Sequence, residues 1–497
     1  MSESSLPATE SRRPYLLICG LAALFAAGLL VYSQTAAFAW DEGFHLLTAQ
    51  LIKNGKRPYL DFFFPQTPLN AYWNAFWFRI FGDTWKTAHA VAALCTSASI
   101  LITGGYVYSR FPEPRWRLPG AVAAMFAMGC NAMIVEFGTV GQAYGLCLVT
   151  MMAAFRFVVL AAGSETIWLA LAAGLMAGTA SGSSLLTVLA GPVMGLWLLI
   201  YSRTGNRLAK FIGFAVGNAL PFTPVFLLYL QKPREVLFTV FQFNYRYRAV
   251  DWKDATSHDI DMLTTWLVSS QASMLGVLAL AGLFFVFRRS GWPRAVRAEY
   301  YLCAWISVIM GAHIGTAHPT FERYYLLIVP FLSILAVAAL YWLGSALAAP
   351  DRPRWPVFLL SLFFVCGLAR ALFVDEADDF TWHDMEAVAH KVDEVTPRNG
   401  LVWGDEHIYF LTRRTPPTGM EHENSHKPLN LPAEFIQALH ILPRPQMEQQ
   451  LKAGYYDTVA MCEDSDRVTA LDLPGVYSQS EELGECTVYW DRKKAAR

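Results

Sequence analysis

Residues 39–45 read A-W-D-E-G-F-H, so two carboxylates, Asp41 and Glu42, follow directly on a long apolar run. Beside hydrocarbon such a pair costs free energy unless it faces water, a partner or a substrate. The bland alternative is a solvated helix start, where the macrodipole favours acids. With His45 one turn further on, the pair could hold a divalent cation, although no established metal-ligand spacing supports this and no cofactor is expected. Arg323 is a second chemical candidate, set in H-P-T-F-E-R-Y-Y with His318 and Tyr324 beside it. A guanidinium grips phosphate oxygens bidentately and stays charged. Its alternative is an interfacial anchor, with Arg and Tyr snorkelling at a helix end. Arg246 and Arg248 alternate with aromatics in F-Q-F-N-Y-R-Y-R. Stacking faces beside cationic charge suit a lipid carrier, a sugar face or a headgroup layer, and equally a plain anchor.

These residues sit in an apolar chain. Of 497 residues 54% are hydrophobic and 16% charged, and the mean hydropathy is +0.31. Soluble domains carry roughly 25% charged residues, so the balance points to a polytopic membrane protein. The net charge of −1 hides a split. Residues 1–374 hold 27 Lys and Arg against 17 Asp and Glu, whereas residues 375–497 hold 12 against 23. That division predicts an α-helical membrane domain over 1–374 and a soluble domain over 375–497.

At about 20 apolar residues per crossing, eleven spans are expected: 14–39, 84–108, 118–136, 143–162, 166–181, 183–201, 208–230, 263–287, 300–317, 323–346 and 356–374. With the N-terminus inside, Arg and Lys concentrate on the inner segments: Arg12 and Arg13; Arg110, Arg115 and Arg117; Arg203, Arg207 and Lys210; Arg288, Arg289, Arg294 and Arg297; Arg352 and Arg354. The inner segment Gly163-Ser164-Glu165 is the exception. The odd count then puts residues 375–497 outside, along with segments 40–83 and 231–262. The first span reads as an uncleaved anchor, longer than a typical signal-peptide core. A nucleic-acid partner is excluded for loops on that face.

Within 40–83, Glu42, His45 and Ala49 share one helical face, while Phe44, Leu47, Leu51 and Ile52 form the apolar stripe. Asn54-Gly55 closes this helix. A second helix over 69–81 crowds Tyr72, Trp73, Phe76, Trp77 and Phe78 together and is expected to lie in the headgroup plane. Between them runs P-Y-L-D-F-F-F-P-Q-T-P-L, which contains Asp61. An acidic D-E pair just after the first span, a helix, an aromatic–aspartate step and a Pro-Leu turn into an interfacial helix resemble the first outer loop of family-39 glycosyltransferases. That family includes protein O-mannosyltransferases, and the layout is also similar to that of lipid A aminoarabinose transferases. The detailed likeness covers about 45 residues. The chain departs from the mannosyltransferase pattern at Pro65-Gln66-Thr67-Pro68-Leu69, where a His-Pro-Pro-Leu run is usual, and it shows no MIR-type domain.

The resemblance implies a GT-C-like fold of about 11 transmembrane helices and transfer of a hexosyl or pentosyl group from a polyprenyl-phosphate donor. The acceptor would be a hydroxyl of a glycan, lipid or protein, and the carried-over likeness does not choose among them. It aligns Asp41 with the catalytic base and implies inversion at the anomeric carbon. Glu42 would orient an acceptor hydroxyl or bind a cation, and Asp61 would hold the sugar or the loop. Arg323 would meet the lipid phosphate, with Tyr324 and a proline-containing span following as they do in the family. Glu136, at the outer end of the third span, stands where the aminoarabinose transferases also carry an acid. The rival class is a lipid-linked-sugar flippase or secondary transporter, which should show mid-span ionisable residues and broken helices in two halves. Few acids here lie at mid-span, and no repeat is visible. The absence of an N-x-S/T sequon and of a C-terminal retrieval signal favours a bacterial inner membrane.

The tail alternates helical stretches, 382–395 and 444–453, with strands at 400–403, 457–461 and 486–490, which predicts a small extracytoplasmic α/β domain. Six of the eight cysteines lie in apolar runs, where a thiol acts as a small hydrophobe. The other two, Cys462 and Cys486, are expected to form a disulfide in an oxidising compartment. Asp405-Glu406-His407 echoes the opening motif and reads as a surface turn.

Overall fold

The computed structural model describes residues 13–250, 252, 254–288, 291–347, 353–375, 380–428, 430–462 and 471–493. Arg12, Arg289 and Arg352 of the expected inner segments lie outside them. The expected spans fall largely on helices, and seven helices among the described residues, against the eleven spans expected, are long and apolar enough to cross a membrane. They include α1 (Arg13–Thr35), α4 (Trp85–Arg110) and the continuous stretch Glu322–Ala346. The outward faces stay apolar, with Leu17, Leu24 and Val31 exposed on α1 and Phe358 and Leu359 exposed on the helix Arg354–Arg370. Such a surface suits hydrocarbon better than water.

Several of the expected spans are interrupted, two of them for visible reasons. The segment at 118–136 divides into α5 (Pro114–Gly129) and α6 (Ala132–Phe137). Asn131 caps the second piece through Ile134 N–H, and Gln271 serves the freed backbone by accepting from Ala132 N–H and donating to the Cys130 carbonyl. The segment at 208–230 breaks at Leu220–Phe222, where Pro221 and Pro224 remove backbone donors.

Two short helices lie between α1 and α4. Helix α2 (Glu42–Lys53) buries Phe44, Leu46, Leu47, Ala49 and Ile52. Helix α3 (Leu69–Phe81) buries Asn70, Ala71, Asn74, Ala75 and Phe78 and exposes Phe76, Ile80 and Phe81. That two-faced pattern matches an interfacial segment.

The C-terminal part carries one four-stranded sheet of β1 (Val402–Trp403), β2 (Thr458–Met461), β3 (Tyr477–Leu483) and β4 (Cys486–Arg492), ordered β1-β2-β4-β3. Strands β1 and β2 are parallel, with Val402 opposite Thr458, and β4 runs antiparallel to both of its neighbours. Three of these strands coincide with the expected ones. The fourth, β3, is an edge strand reading Y-S-Q-S-E-E-L, with one buried residue, and has no apolar alternation to announce it. Cys462 and Cys486 form the disulfide, at a sequence separation of 24. A crosslink closing a loop of that length stabilises by about 3 kcal/mol in the chain-entropy picture. Reduction should therefore lower the melting temperature of the C-terminal part, as read by circular dichroism in its β region.

Candidate functional site

Asp41 is the N-terminal cap residue of α2, yet its carboxylate makes no capping hydrogen bond. It turns instead to Arg323, with which it forms an ion pair. Arg323 stands in a 3₁₀ turn, Glu322–Ile328, that opens the helix Val329–Leu347. Its guanidinium carbon lies 4.5 Å from the centroid of Phe321, 5.7 Å from that of Phe137 and 5.9 Å from that of Tyr324. Aromatic faces on several sides hold a cation in place while adding attraction of their own.

Asp41 lies on a wall shared by two cavities. One, of about 540 Å³, is lined by Asp41, His45, Gln142, Asn244, Arg248 and Tyr324, among others. The second, of about 580 Å³, is lined by Asp41, Glu136, Gln142, Arg323 and a mainly apolar set that includes Tyr32, Phe38, Trp40 and Phe373. Both are of the size that holds small-molecule ligands. Gln142 also belongs to both; it is buried, and its side-chain nitrogen has no hydrogen-bond partner.

In the first cavity Arg248 donates to the Tyr324 hydroxyl at 2.6 Å and to the Ala317 carbonyl at 3.1 Å. His45 is buried, and burial pushes its imidazole down to about 4, against the pull of Asp41 and Glu42. The ring is therefore neutral near pH 7 and leaves Arg323 as the cation in contact with Asp41.

Glu42 points the other way. It is fully buried and lines neither cavity. Its carboxylate accepts from His89 Nε2 at 2.8 and 3.0 Å, from Gly141 N–H at 2.5 Å and from the Trp382 indole at 3.2 Å. His89 Nδ1 meets the Ser33 carbonyl at 2.6 Å. A carbonyl only accepts, so Nδ1 carries a proton. Gly141 is fixed at both ends, because Asn70 and Asn74 of α3 donate to its carbonyl at 3.1 and 2.8 Å. A Cβ there would come within 2.7 Å of the Glu42 carboxylate, so glycine permits the approach. This knot joins α1, α2, α3 and α4 to the C-terminal domain and sets the position of Gln142.

The other candidates separate. Asp61 accepts from Arg57 Nε at 3.0 Å and Nη2 at 2.9 Å; these bonds hold its carboxyl below the usual range and brace the loop away from both cavities. His318 pairs with Asp259 at 2.7 Å, and Asp259 also accepts from Thr320 N–H at 2.6 Å. Its neighbour Pro319, and not His318, lines the first cavity. Arg246 is exposed and lines neither cavity. The structure thus gathers Asp41, Arg248 and Tyr324 at one cavity and Asp41, Glu136 and Arg323 at the other. Among the described residues no group of three or more His, Cys, Asp or Glu could hold a metal ion.

The C-terminal domain closes the first cavity with His422, Glu423, Asn424 and Lys427. Glu423 lines this wall, and desolvation there, then the charge of Asp41, raises its carboxyl above the usual range. No motif marks that stretch in the sequence. Asp405-Glu406-His407 is no surface turn: Glu406 and His407 are buried, and His407 stacks on Phe38 at 5.3 Å. Gly43 makes room for it, since a Cβ there would lie 2.4 Å from the ring.

No protein-family model and no curated protein sequence matches this chain. Among solved structures, ArnT from Cupriavidus metallidurans bound to undecaprenyl phosphate matches over 97% of this chain and 98% of its own, at a TM-score of 0.66 and 14% identity. The same protein in the apo state gives 0.64 at 15% identity, over 95% of this chain and 98% of its own. The Archaeoglobus fulgidus oligosaccharyltransferase tethered with an acceptor peptide gives 0.52 at 13% identity, over 91% of this chain and 69% of its own. At such identities the likeness is one of fold: the GT-C-like helical membrane architecture that the first loop implied, with the small C-terminal α/β part that the pattern of the tail implied.

Proposed function

We propose that this chain is a membrane glycosyltransferase that moves a sugar from a polyprenyl-phosphate donor to a hydroxyl acceptor, with inversion and with Asp41 as the general base. The observation that carries the reading is the place of Asp41, ion-paired to Arg323 on the wall common to two ligand-sized cavities. The whole-chain likeness in fold to a protein bound to undecaprenyl phosphate supports the donor class.

In this reading the donor occupies the cavity of Arg248 and Tyr324, where the guanidinium meets the phosphate. The acceptor approaches through the second cavity, past Glu136 and the aromatic side chains. Asp41 takes the hydroxyl proton as the acceptor oxygen attacks the anomeric carbon. The bond from that carbon to the phosphate oxygen breaks on the opposite side, and polyprenyl phosphate departs with the electron pair. One base suffices, and no sugar–enzyme bond forms. Arg323 holds the Asp41 carboxylate in its place on the shared wall. The Cys462–Cys486 disulfide and the charge bias of the loops support an extracytoplasmic site, in a bacterial inner membrane.

Mass spectrometry of envelope lipids and glycans from a deletion strain tests this reading. One sugar modification should vanish and return with the wild-type gene, and an unaltered profile would count against it. Arg248→Ala should raise the KM for donor lipid about 10- to 100-fold, as expected for one charge-assisted hydrogen bond. Tyr324→Phe removes the hydroxyl that Arg248 holds, so its effect on KM should be smaller.

A further inference from the structure

Lys427 belongs to the C-terminal domain, 386 positions beyond Asp41 in sequence, yet both line the same cavity. It caps the C-terminal end of a short 3₁₀ helix, Glu423–His426. Its ammonium donates to the backbone carbonyl of Arg248 at 3.4 Å, and both residues line this cavity. Several contacts hold this segment against the membrane part. The His422 ring packs on Phe44 at 4.3 Å, and its Nδ1 accepts from Asn424 N–H at 3.1 Å. His440 reaches the Leu60 carbonyl at 2.8 Å. His422 is almost fully buried at the cavity, and its Nε2 has no hydrogen-bond partner, so polar capacity is left over on this wall.

We infer that Lys427 is a direct ligand of the donor's phosphate, acting with Arg248, so that the C-terminal domain completes the donor site. The inference rests on the donor reading above. A polyprenyl-phosphate sugar is a phosphodiester with one negative charge, which Arg248 alone can balance. As the sugar leaves, the phosphate gains a second charge, and a second cation then becomes valuable. Lys427 supplies that cation at the position where the charge develops. Arg323 is committed to Asp41 and belongs to the other cavity's lining, so it does not substitute.

The test measures binding of undecaprenyl phosphate to the purified full chain in nanodiscs, by native mass spectrometry, with undecaprenol as the uncharged control. Lys427→Met should weaken undecaprenyl phosphate at least 10-fold while leaving undecaprenol unchanged, and Lys427→Arg should restore most of the affinity. In turnover the Met variant should lose kcat more than it raises donor KM. Wild-type affinity in Lys427→Met would overturn the inference and leave the donor reading standing. Equal losses for phosphate and alcohol would also overturn it, as a packing effect without charge recognition. Failure of the wild-type chain to prefer the phosphate over the alcohol would remove the donor reading itself. Should the Met variant fold poorly, the Arg variant decides the question: a folded Arg variant that binds undecaprenyl phosphate well supports the inference, and one that does not refutes it.

Discussion

Exchanging Asp41 for Asn should lower the turnover number by about 10²–10⁴-fold, the range a positioned general base contributes, while insertion and folding persist. The helix start does not depend on this carboxylate, because Asp41 makes no side-chain cap bond. The amide oxygen of Asn can still accept from Arg323, so the geometry survives and the basicity is lost. Turnover measured on purified protein with donor lipid, beside a melting curve, separates these effects. Wild-type turnover in Asp41→Asn would sink the assignment of the base. Asp41→Ala would be the poorer variant, since it leaves the Arg323 guanidinium without its carboxylate in a partly buried place.

Asp41 is legible in the sequence, and much less of what surrounds it is. An acid directly after an apolar run has few uses, and the loop that follows carried enough pattern to suggest a fold. Glu42 reads in the sequence as a companion that orients an acceptor hydroxyl or binds a cation, but adjacent residues on a helix point about 100° apart. One therefore faces the cavities and the other the knot of His89, Gly141 and Trp382. Arg323 was legible as a cation at a span end, though its partner was not, because a separation of 282 residues leaves no trace in local spacing. Arg246 and Arg248 look alike in their alternating run, and only backbone direction distinguishes the exposed one from the one bonded to Tyr324.

The C-terminal wall was hidden for a different reason. His422, Glu423, Asn424 and Lys427 gain their place through docking of one domain on another, and docking depends on surfaces that no short window contains. The same holds for His407, whose burial depends on Phe38 and on the missing side chain of Gly43. The tail's strands, by contrast, were readable wherever one face is buried. The polar edge strand β3 escaped because nearly all of its side chains meet solvent.

Removing Glu42 should produce the largest loss of stability in this region. In Glu42→Ala, His89, Gly141 N–H and the Trp382 indole lose their acceptor together inside a dry interior. Each buried donor left unsatisfied typically costs about 1–3 kcal/mol, so losing the acceptor of three should cost at least about 3 kcal/mol. Glu42→Gln should cost much less, about 1–2 kcal/mol. Its oxygen can keep the Gly141 bond, and its amide can donate to His89 Nε2 once that nitrogen is unprotonated, while Nδ1 still serves the Ser33 carbonyl. The indole of Trp382 would then lose its acceptor, although its ring would remain stacked on Trp85 at 5.5 Å. Because Trp382 starts the first helix of the C-terminal domain, Glu42→Ala should also loosen the docking of that domain. Hydrogen exchange over 382–395 reads the loosening, and melting curves read the cost. The ordering carries the argument: a Gln variant that is stable and retains most of its turnover identifies Glu42 as the residue that aims its neighbour. A Gln variant that is stable but inactive would instead return Glu42 to the chemistry, and Asp41 would no longer stand alone as the base.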